Sequence, residues 1–375
     1  MNTKHIYIIG FALSMAFAVL LTGCTSDSGE DGHPTRDLYM TLGNQIYTDV
    51  TAAVTRALPT GYVVYNNLYP QMAIEDTKIR AYITQGDEMK FQGDFVYEKS
   101  GTQTIWKSKV PIDDGEYYVY GFMPSTILNK LKVNLTHPTS DDYSSGAKFE
   151  IKDMPAVTPY DPCVIVGVKG NKNGNTSIEN INMQLGQFKY SANDDGEYIY
   201  VLLDHLYGAL EFHMDIDLTY SKLRTIKLTK VEIKPNDNAK TVTMNAQLTQ
   251  GSTTPLNVNY SVTTTGSVDY QTIFENTTGG EILKVKSQTQ STVDFMTCVA
   301  PSTNNKKFLM RSTYDVYDAK NNLIREGCTA VNSIKVPDDK TLQRGQVYIF
   351  NLTVNPTYLY VLSDPDLDNP TVVVN

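Results

Sequence analysis

Cysteine is scarce: four in 375 residues, none in a C-x-x-C spacing, which argues against a disulfide-stapled scaffold or a thioredoxin-like redox centre. A chain of this length needs no staples, because about 150 residues suffice for a domain with its own core. Long lysine-arginine runs are absent too, and 41 acidic residues against 32 basic ones leave a net charge of −9, which argues against a nucleic-acid partner. Only 19% of residues are charged, 41% are apolar and 25 are tyrosine, a balance of sheet formers rather than of a disordered chain or a coiled coil. Catalytic signatures are missing as well. There is no H-E-x-x-H or G-x-S-x-G, and the glycine-containing stretch from Gly167 to Gly174 lacks the closing Gly-Lys-Ser/Thr of a phosphate loop. His205 and His213 lie near Asp204, Glu211 and Asp215, but alternation puts His213 on the wet face of a strand and His205 at its opening, so structural roles are expected. Asp364, Asp366 and Asp368 alternate as a hard cation would want, yet the turn glycine is missing and Asn375 stands where a closing Glu belongs. That string reads as a polar turn, and nothing singles out a carboxylate pair for glycoside cleavage. The expectation is no enzyme, no metal and no cofactor.

One apolar run is present at the N-terminus. Lys4 precedes a 16-residue stretch over 6–21 that leads into Thr22-Gly23-Cys24. It falls short of the ~20 residues that cross a bilayer, and small residues before a cysteine are what a lipoprotein signal peptidase requires. Residues 1–23 are therefore read as a signal peptide and Cys24 as the lipidated residue that anchors a precursor in the outer membrane. The acidic stretch 25–31 that follows resembles the surface-export signal of Bacteroidetes lipoproteins. With Cys24 assigned, Cys163, Cys298 and Cys328 remain: either Cys298 pairs with Cys328, or all three are buried apolar thiols.

The rest of the chain reads as strands and turns. Over 210–218, Leu210, Phe212, Met214, Ile216 and Leu218 share one face, with Glu211, His213, Asp215 and Asp217 on the other. Val242, Met244, Ala246 and Leu248 alternate likewise after the turn-rich 234–238, where a hairpin is predicted. Further strands are predicted over 62–65, 78–84, 91–97, 104–107, 116–122, 164–168, 308–316, 323–325 and 347–354. With no helices between them, they indicate antiparallel sandwiches. The best boundary between two such units is the turn at 194–196. No fixed-period repeat is present, which argues against a solenoid or propeller.

Four segments behind the lipobox carry a family resemblance: Val54-Thr55-Arg56-Ala57, Tyr117-Tyr118-Val119-Tyr120-Gly121-Phe122-Met123-Pro124, Leu203-Asp204-His205-Leu206-Tyr207-Gly208-Ala209-Leu210, and Leu342-Gln343-Arg344-Gly345-Gln346-Val347-Tyr348. In this order the chain resembles a fimbrillin of the Bacteroidetes type V pilus group over most of its length. The resemblance implies an all-β protein with two tandem transthyretin-like antiparallel β-sandwich domains. It also implies a lipoprotein precursor, an arginine-specific protease that removes the first strand, and polymerisation through a strand donated by a neighbouring pilin subunit. On this map 24–56 is a tether and removable strand, 57–196 and 197–354 are the sandwiches, and 355–375 is a donor tail.

The residues accommodate that scheme in two places. Ile46, Val50 and Val54 fall on one face of a strand-like segment, and the turn-forming Leu58-Pro59-Thr60-Gly61 lies beyond Arg56 and Ala57, where a protease reaches backbone. Arg36 is a competing site, but cutting there leaves the 46–54 segment attached. In the tail, Tyr358, Tyr360 and Leu362, with Val372 and Val374 beyond the acidic turn, form two β-prone runs. They are either the donor or an ordinary hairpin packed on its own domain. The function expected is a cell-surface fimbrial subunit, of stalk type. The alternative is a surface glycan-binding lipoprotein that stacks its tyrosines and Trp106 on sugars.

Overall fold

The computed structural model describes residues 35–42, 44–45, 56–57, 77–100, 103–125, 133–137, 142–171, 180–181, 184–191, 198–236, 239–266, 268–286, 293–301, 307–336, 342–358 and 365–374. Strands dominate them. The first half holds β1 (Thr35–Leu42), β2 (Asn44–Gln45), β3 (Arg56–Ala57), β4 (Lys78–Gln85), β5 (Glu88–Ser100), β6 (Gln103–Pro111), β7 (Gly115–Met123), β8 (Val133–Thr136), β9 (Gly146–Pro155), β10 (Val157–Thr158), β11 (Cys163–Asn171), β12 (Asn180–Ile181) and β13 (Gln187–Tyr190). The second half holds β14 (Tyr198–His205), β15 (Gly208–Ile216), β16 (Arg224–Pro235), β17 (Ala239–Thr249), β18 (Leu256–Thr265), β19 (Gln271–Glu275), β20 (Glu281–Ile282), β21 (Val293–Val299), β22 (Lys307–Asp318), β23 (Leu323–Lys335), β24 (Gln346–Tyr358) and β25 (Pro365–Val374).

The described residues are all-β, with two hydrophobic cores. In the first, seven strands close into a ring in the order β11-β14-β1-β6-β5-β4-β7 and back to β11, with β13 added along β7. The closing contact is short: Cys163 opposes Met123 and Val164 opposes Phe122. A four-stranded sheet, β18-β17-β9-β8, lays its apolar face on this ring, so that Phe149 of β9 packs 5.6 Å from Tyr82 of β4. The second core lies between the sheet β10-β21-β15-β24-β25 and the sheet β19-β16-β22-β23. Phe212 stacks there between Phe295 and Phe350, with ring centroids 5.3 and 5.5 Å apart.

Period-two patterning explains which faces are buried. Val242, Met244, Ala246 and Leu248 are all in the first core, as their alternation predicts. Leu210, Phe212, Met214 and Ile216 enter the second core, but Leu218 lies past the end of β15 and is 59% exposed. The opposite face of β15 is drier than alternation suggested, since Glu211 and Asp215 are each only 8% exposed.

The cores do not divide at 194–196. Residues 194–196 lie outside the described residues, but β14, which follows them, completes the first ring, and β17 and β18 also belong to the first core. For the same reason the turn at 234–238 makes no hairpin. β16 pairs with β19, β20 and β22, whereas β17 pairs with β18 and β9, so the chain there crosses from one core to the other. Cys298 belongs to the first core and Cys328 to the second. Both are free buried thiols, as is Cys163, so the Cys298–Cys328 bridge is excluded and the buried-thiol reading holds.

Candidate functional site

The first described strand is β1, upstream of the segment chosen from sequence. Its residues alternate: Leu38 and Met40 are 0% exposed in the first core, while Thr35 and Arg36 face water and Tyr39 is half-buried. β1 runs parallel to β14, with Tyr39 opposite Tyr198 and Leu42 opposite Val201. It runs antiparallel to β6, with Thr35 opposite Pro111 and Thr41 opposite Ile105. β1 is therefore the one strand that joins β14 to β6 in the ring.

Its outer face is held by a small aromatic and ionic group. The Tyr39 ring stacks on Tyr198 at 4.6 Å and 15°, and the Lys107 ammonium lies 5.1 Å from the centre of the Tyr39 ring. The same ammonium donates to Asp37 Oδ2 at 2.9 Å. That bond, and secondly the contact with Tyr39, raise the Lys107 pKa above its ordinary value.

Arg56 and Ala57 form β3 and pair with Val347 and Gln346 at the start of β24. The opposite edge of β24 is occupied by β15, where Val347 pairs with Ala209. Farther along the edge that β3 occupies, β25 pairs from Leu352 to Tyr358. Arg56 and the tail strand β25 thus lie end to end along one strand edge.

The four segments that carry the resemblance meet here. Gly208 must be glycine, because a Cβ there would lie 2.5 Å from the Gln343 carbonyl oxygen. The Gly345 N–H donates to the Tyr207 carbonyl at 2.8 Å, with Gly345 at φ +66°. Arg344 Nη1 donates to Asp204 Oδ2 and, at 3.3 Å, to the His205 carbonyl. His205 in turn opposes Cys163, whose other neighbour is Met123 of β7.

Asp161, Cys163 and His205 bring three metal-ligating atoms within 4.8 Å, all buried. His205 Nδ1 lies 2.8 Å from Asp161 Oδ2 and 3.5 Å from Cys163 Sγ. Both contacts fall on one ring nitrogen, whereas a nucleophilic relay needs the acid and the thiol on opposite nitrogens. Burial, and secondly the Asp161 charge, push the Cys163 thiol up, away from the thiolate. This group forms a buried clasp where the ring closes. Sequence reasoning missed Asp161, whose only signal was its place two residues before Cys163.

Of the residues singled out from sequence, Cys24, Ile46, Val50, Val54, Tyr360 and Leu362 lie outside the described residues. Tyr358 is the last residue of β24 and pairs with Pro365. Val372 is buried in the second core and Val374 packs against it. The tail strand β25 is docked on its own chain: Tyr314 and Tyr220 hydroxyls donate to the carbonyls of Pro370 and Leu367 at 2.6 and 2.7 Å. Arg224 Nη2 holds Asp368 at 2.7 Å, which gives one carboxylate of the cation-like string a protein partner. The missed strand, β1, was signalled by Leu38, Met40 and Leu42 at alternate positions.

No protein-family model and no curated protein matches the chain. Among solved structures it is similar to a candidate cell adhesion protein from Bacteroides fragilis, at 8% identity over 91% of this chain and 97% of that one, TM-score 0.45. It is similar to a fimbrial protein from Bacteroides vulgatus, at 12% identity over 80% and 92%, TM-score 0.39. It is also similar to the fimbrial anchor protein Mfa2 from Porphyromonas gingivalis, at 11% identity over 91% and 98%, TM-score 0.28. These neighbours are Bacteroidetes fimbrial and cell-adhesion proteins, and at TM-scores below 0.5 none of them assigns this chain a mechanism.

Proposed function

We propose that the chain is a subunit of a cell-surface fimbria that supports adhesion, made as an outer-membrane lipoprotein on Cys24 and polymerised after an arginine-specific protease cuts between Arg56 and Ala57. The observation that carries this reading is the place of β1 as the single strand between β14 and β6. Cutting after Arg56 severs β1 from everything downstream. Its departure opens a slot two strand spacings wide, about 9.5 Å, lined by two unpaired edges and by the apolar hollow of Leu38 and Met40. Such a slot accepts one extended strand and is a template for a neighbour's. Burying each apolar side chain contributes roughly 1.5–3 kcal/mol and each ladder hydrogen bond about 0.5–1.5 kcal/mol.

Among the described residues two register pairs hold β3, which supports local opening that delivers Arg56 to a protease at little cost. Arg36 is a poorer site, because it lies within β1 opposite Val110 and a cut there leaves Leu38 and Met40 in place. The tail supplies the donor, which makes the subunit one of the stalk. Tandem transthyretin-like sandwiches remain part of the proposal; the paired sheets of the second core support it. The glycan-binding alternative loses support, since Trp106 is 0% exposed and Tyr120, Tyr190, Tyr200, Tyr207, Tyr220 and Tyr314 are fully buried. N-terminal sequencing of polymerised material tests the reading: Ala57 is the expected first residue, and Cys24 or Asp37 overturns it.

A further inference from the structure

The backbone itself gathers Asp161, Cys163 and His205. Cys163 and His205 are register partners across β11 and β14, which sets their side chains next to each other on one face. Asp161 stands two residues before Cys163, the period that returns a side chain to the same face. Between them, the Pro162 carbonyl accepts from the Leu206 N–H at 2.7 Å, which ties this run to the segment that carries His205. The three residues are 0–1% exposed, yet each brings an atom with a free-electron pair to one point. Asp161 Oδ2 and Cys163 Sγ approach the same atom, His205 Nδ1, at 2.8 and 3.5 Å. A proton relay would divide the acid and the thiol between the two ring nitrogens; convergence on one nitrogen is what a shared cation requires.

We propose that Asp161, Cys163 and His205 form a structural zinc site, loaded as the chain folds, with Oδ2, Sγ and Nδ1 as the ligating atoms. Zinc bonds of about 2.3 Å to sulfur and about 2.0–2.1 Å to nitrogen and oxygen space tetrahedral sulfur and nitrogen ligands about 3.6 Å apart, and nitrogen and oxygen ligands about 3.3 Å apart. The thiol already stands at the first separation, and the carboxylate reaches the second by drawing back about 0.5 Å. The donor set selects the metal, because thiolate and imidazole suit zinc whereas calcium and magnesium take oxygen. On binding, the Cys163 thiol gives its proton to water, and the ring proton that Nδ1 donates to Asp161 passes to Nε2. A dication held by a thiolate, a carboxylate and a neutral ring carries no net charge, the state that burial penalises least.

The position of the site gives its role. Cys163 opposes His205 on one side and Met123 of β7 on the other, so the metal sits at the short contact that closes the seven-stranded ring. Ligands this deeply buried leave no path for a substrate, which makes the site structural rather than catalytic. Asp161 and His205 are 44 residues apart in the chain, so no site exists before the ring forms, and the free energy of binding becomes free energy of folding.

The test uses the full chain, unfolded in guanidinium with a chelator and refolded with zinc chloride, with cobalt chloride or with neither. Metal retained after gel filtration is counted by mass spectrometry. One zinc per chain is expected, with a higher melting temperature than the metal-free protein, and the cobalt form is expected to show a thiolate-to-metal charge-transfer band. Cys163→Ser is expected to abolish that band and to weaken zinc at least about tenfold, since disturbing even an outer partner of a ligand costs that much. Asp161→Asn keeps the side-chain shape and an acceptor for Nδ1, so it separates loss of a ligand from loss of the fold: its melting temperature is expected not to rise with zinc. The competing place for an adventitious ion is His213, with Glu211 and Asp294 at 3.0 and 2.7 Å from its opposite ring nitrogens. His213→Gln is expected to retain the zinc. A refolded chain that keeps no metal, a Cys163→Ser chain that keeps the charge-transfer band, or a His213→Gln chain that loses the zinc overturns the site.

Discussion

Asp204 shows how much of this molecule depends on single polar side chains in apolar surroundings. Its carboxylate is nearly buried, and Arg344, reaching across from the segment before β24, supplies its charge partner and also caps the His205 carbonyl. Arg344→Ala leaves that carboxylate without its guanidinium, and the expected loss is about 1–3 kcal/mol, read as a lower denaturant midpoint. Arg344→Lys is expected to recover only part of it, since one ammonium does not reproduce the guanidinium fork. An unchanged midpoint in the alanine variant contradicts a structural role for this pair. Glu232 in the second core's outer sheet gives a pH-dependent case. Arg311 Nε and Nη2 both lie 2.7 Å from its Oε2, and this contact chiefly, with Lys230 in support, lowers its pKa below the ordinary carboxylate value. A depressed folded-state pKa stabilises fully above the unfolded value of about 4.3 and loses that contribution as pH falls through the folded value. Glu232→Gln is therefore expected to destabilise most at neutral pH, and the difference from the unsubstituted protein is expected to shrink below about pH 4. A difference that grows on acidification contradicts the assignment.

At the scale of elements, strands with strict alternation were legible and strands whose value is topological were not. Val242 to Leu248 could be assigned to a face because period two survives burial on one side only. The partner of that strand could not, because Pro235 and the polar residues after it mark a turn without saying whether the chain doubles back or crosses to another sheet. β1 was overlooked for a different reason: Arg36, Asp37 and Thr41 dilute its apolar residues, and its importance comes from which strands it joins rather than from its composition. The His205 clasp was half legible, since sequence placed His205 at a strand opening but could not bring Asp161 to it. The consequence of β1's position is measurable. Leu38→Ala leaves a cavity in the first core, at an expected 2–5 kcal/mol, the order found for large-to-small core changes, read as a drop in melting temperature of the uncut precursor. After cleavage at Arg56, when β1 is held only by non-covalent contacts, the same substitution is expected to hasten loss of the N-terminal fragment from the folded body. Equal retention of the fragment in both proteins would show that Leu38 does not anchor it.

At the scale of the whole molecule, β3 and β25 occupy successive stretches of the same edge of β24, while β1 sits in the ring of the other core. Under the proposed strand exchange a subunit accepts a strand in the first core and offers one from the second, and a head-to-tail contact of that kind does not close on itself but extends into a filament. Deleting residues 359–375 separates the two capacities. β24 runs to Tyr358 rather than ending at Val354, so the cut keeps its ladder with β15, from Ala209 opposite Val347 to Ile216 opposite Val354. The first core is untouched. The second gives up Val372, the partly buried Leu367 and Val374, the pairing of Leu352 to Tyr358 with β25 and the hydroxyl bonds of Tyr220 and Tyr314, a loss of roughly 1.5–3 kcal/mol for Val372, less for each partly buried side chain, and about 0.5–1.5 kcal/mol for each hydrogen bond. After proteolysis the truncated subunit is expected to remain monomeric alone, because it has a slot and nothing to donate. Added in small amounts to intact subunits, it is expected to shorten fibres by occupying one growing end, as seen by size-exclusion chromatography and negative-stain microscopy. Fibres of normal length from the truncated protein alone would place the donor outside the tail. Unchanged lengths in the mixture would show that the vacated slot does not accept a neighbour's strand.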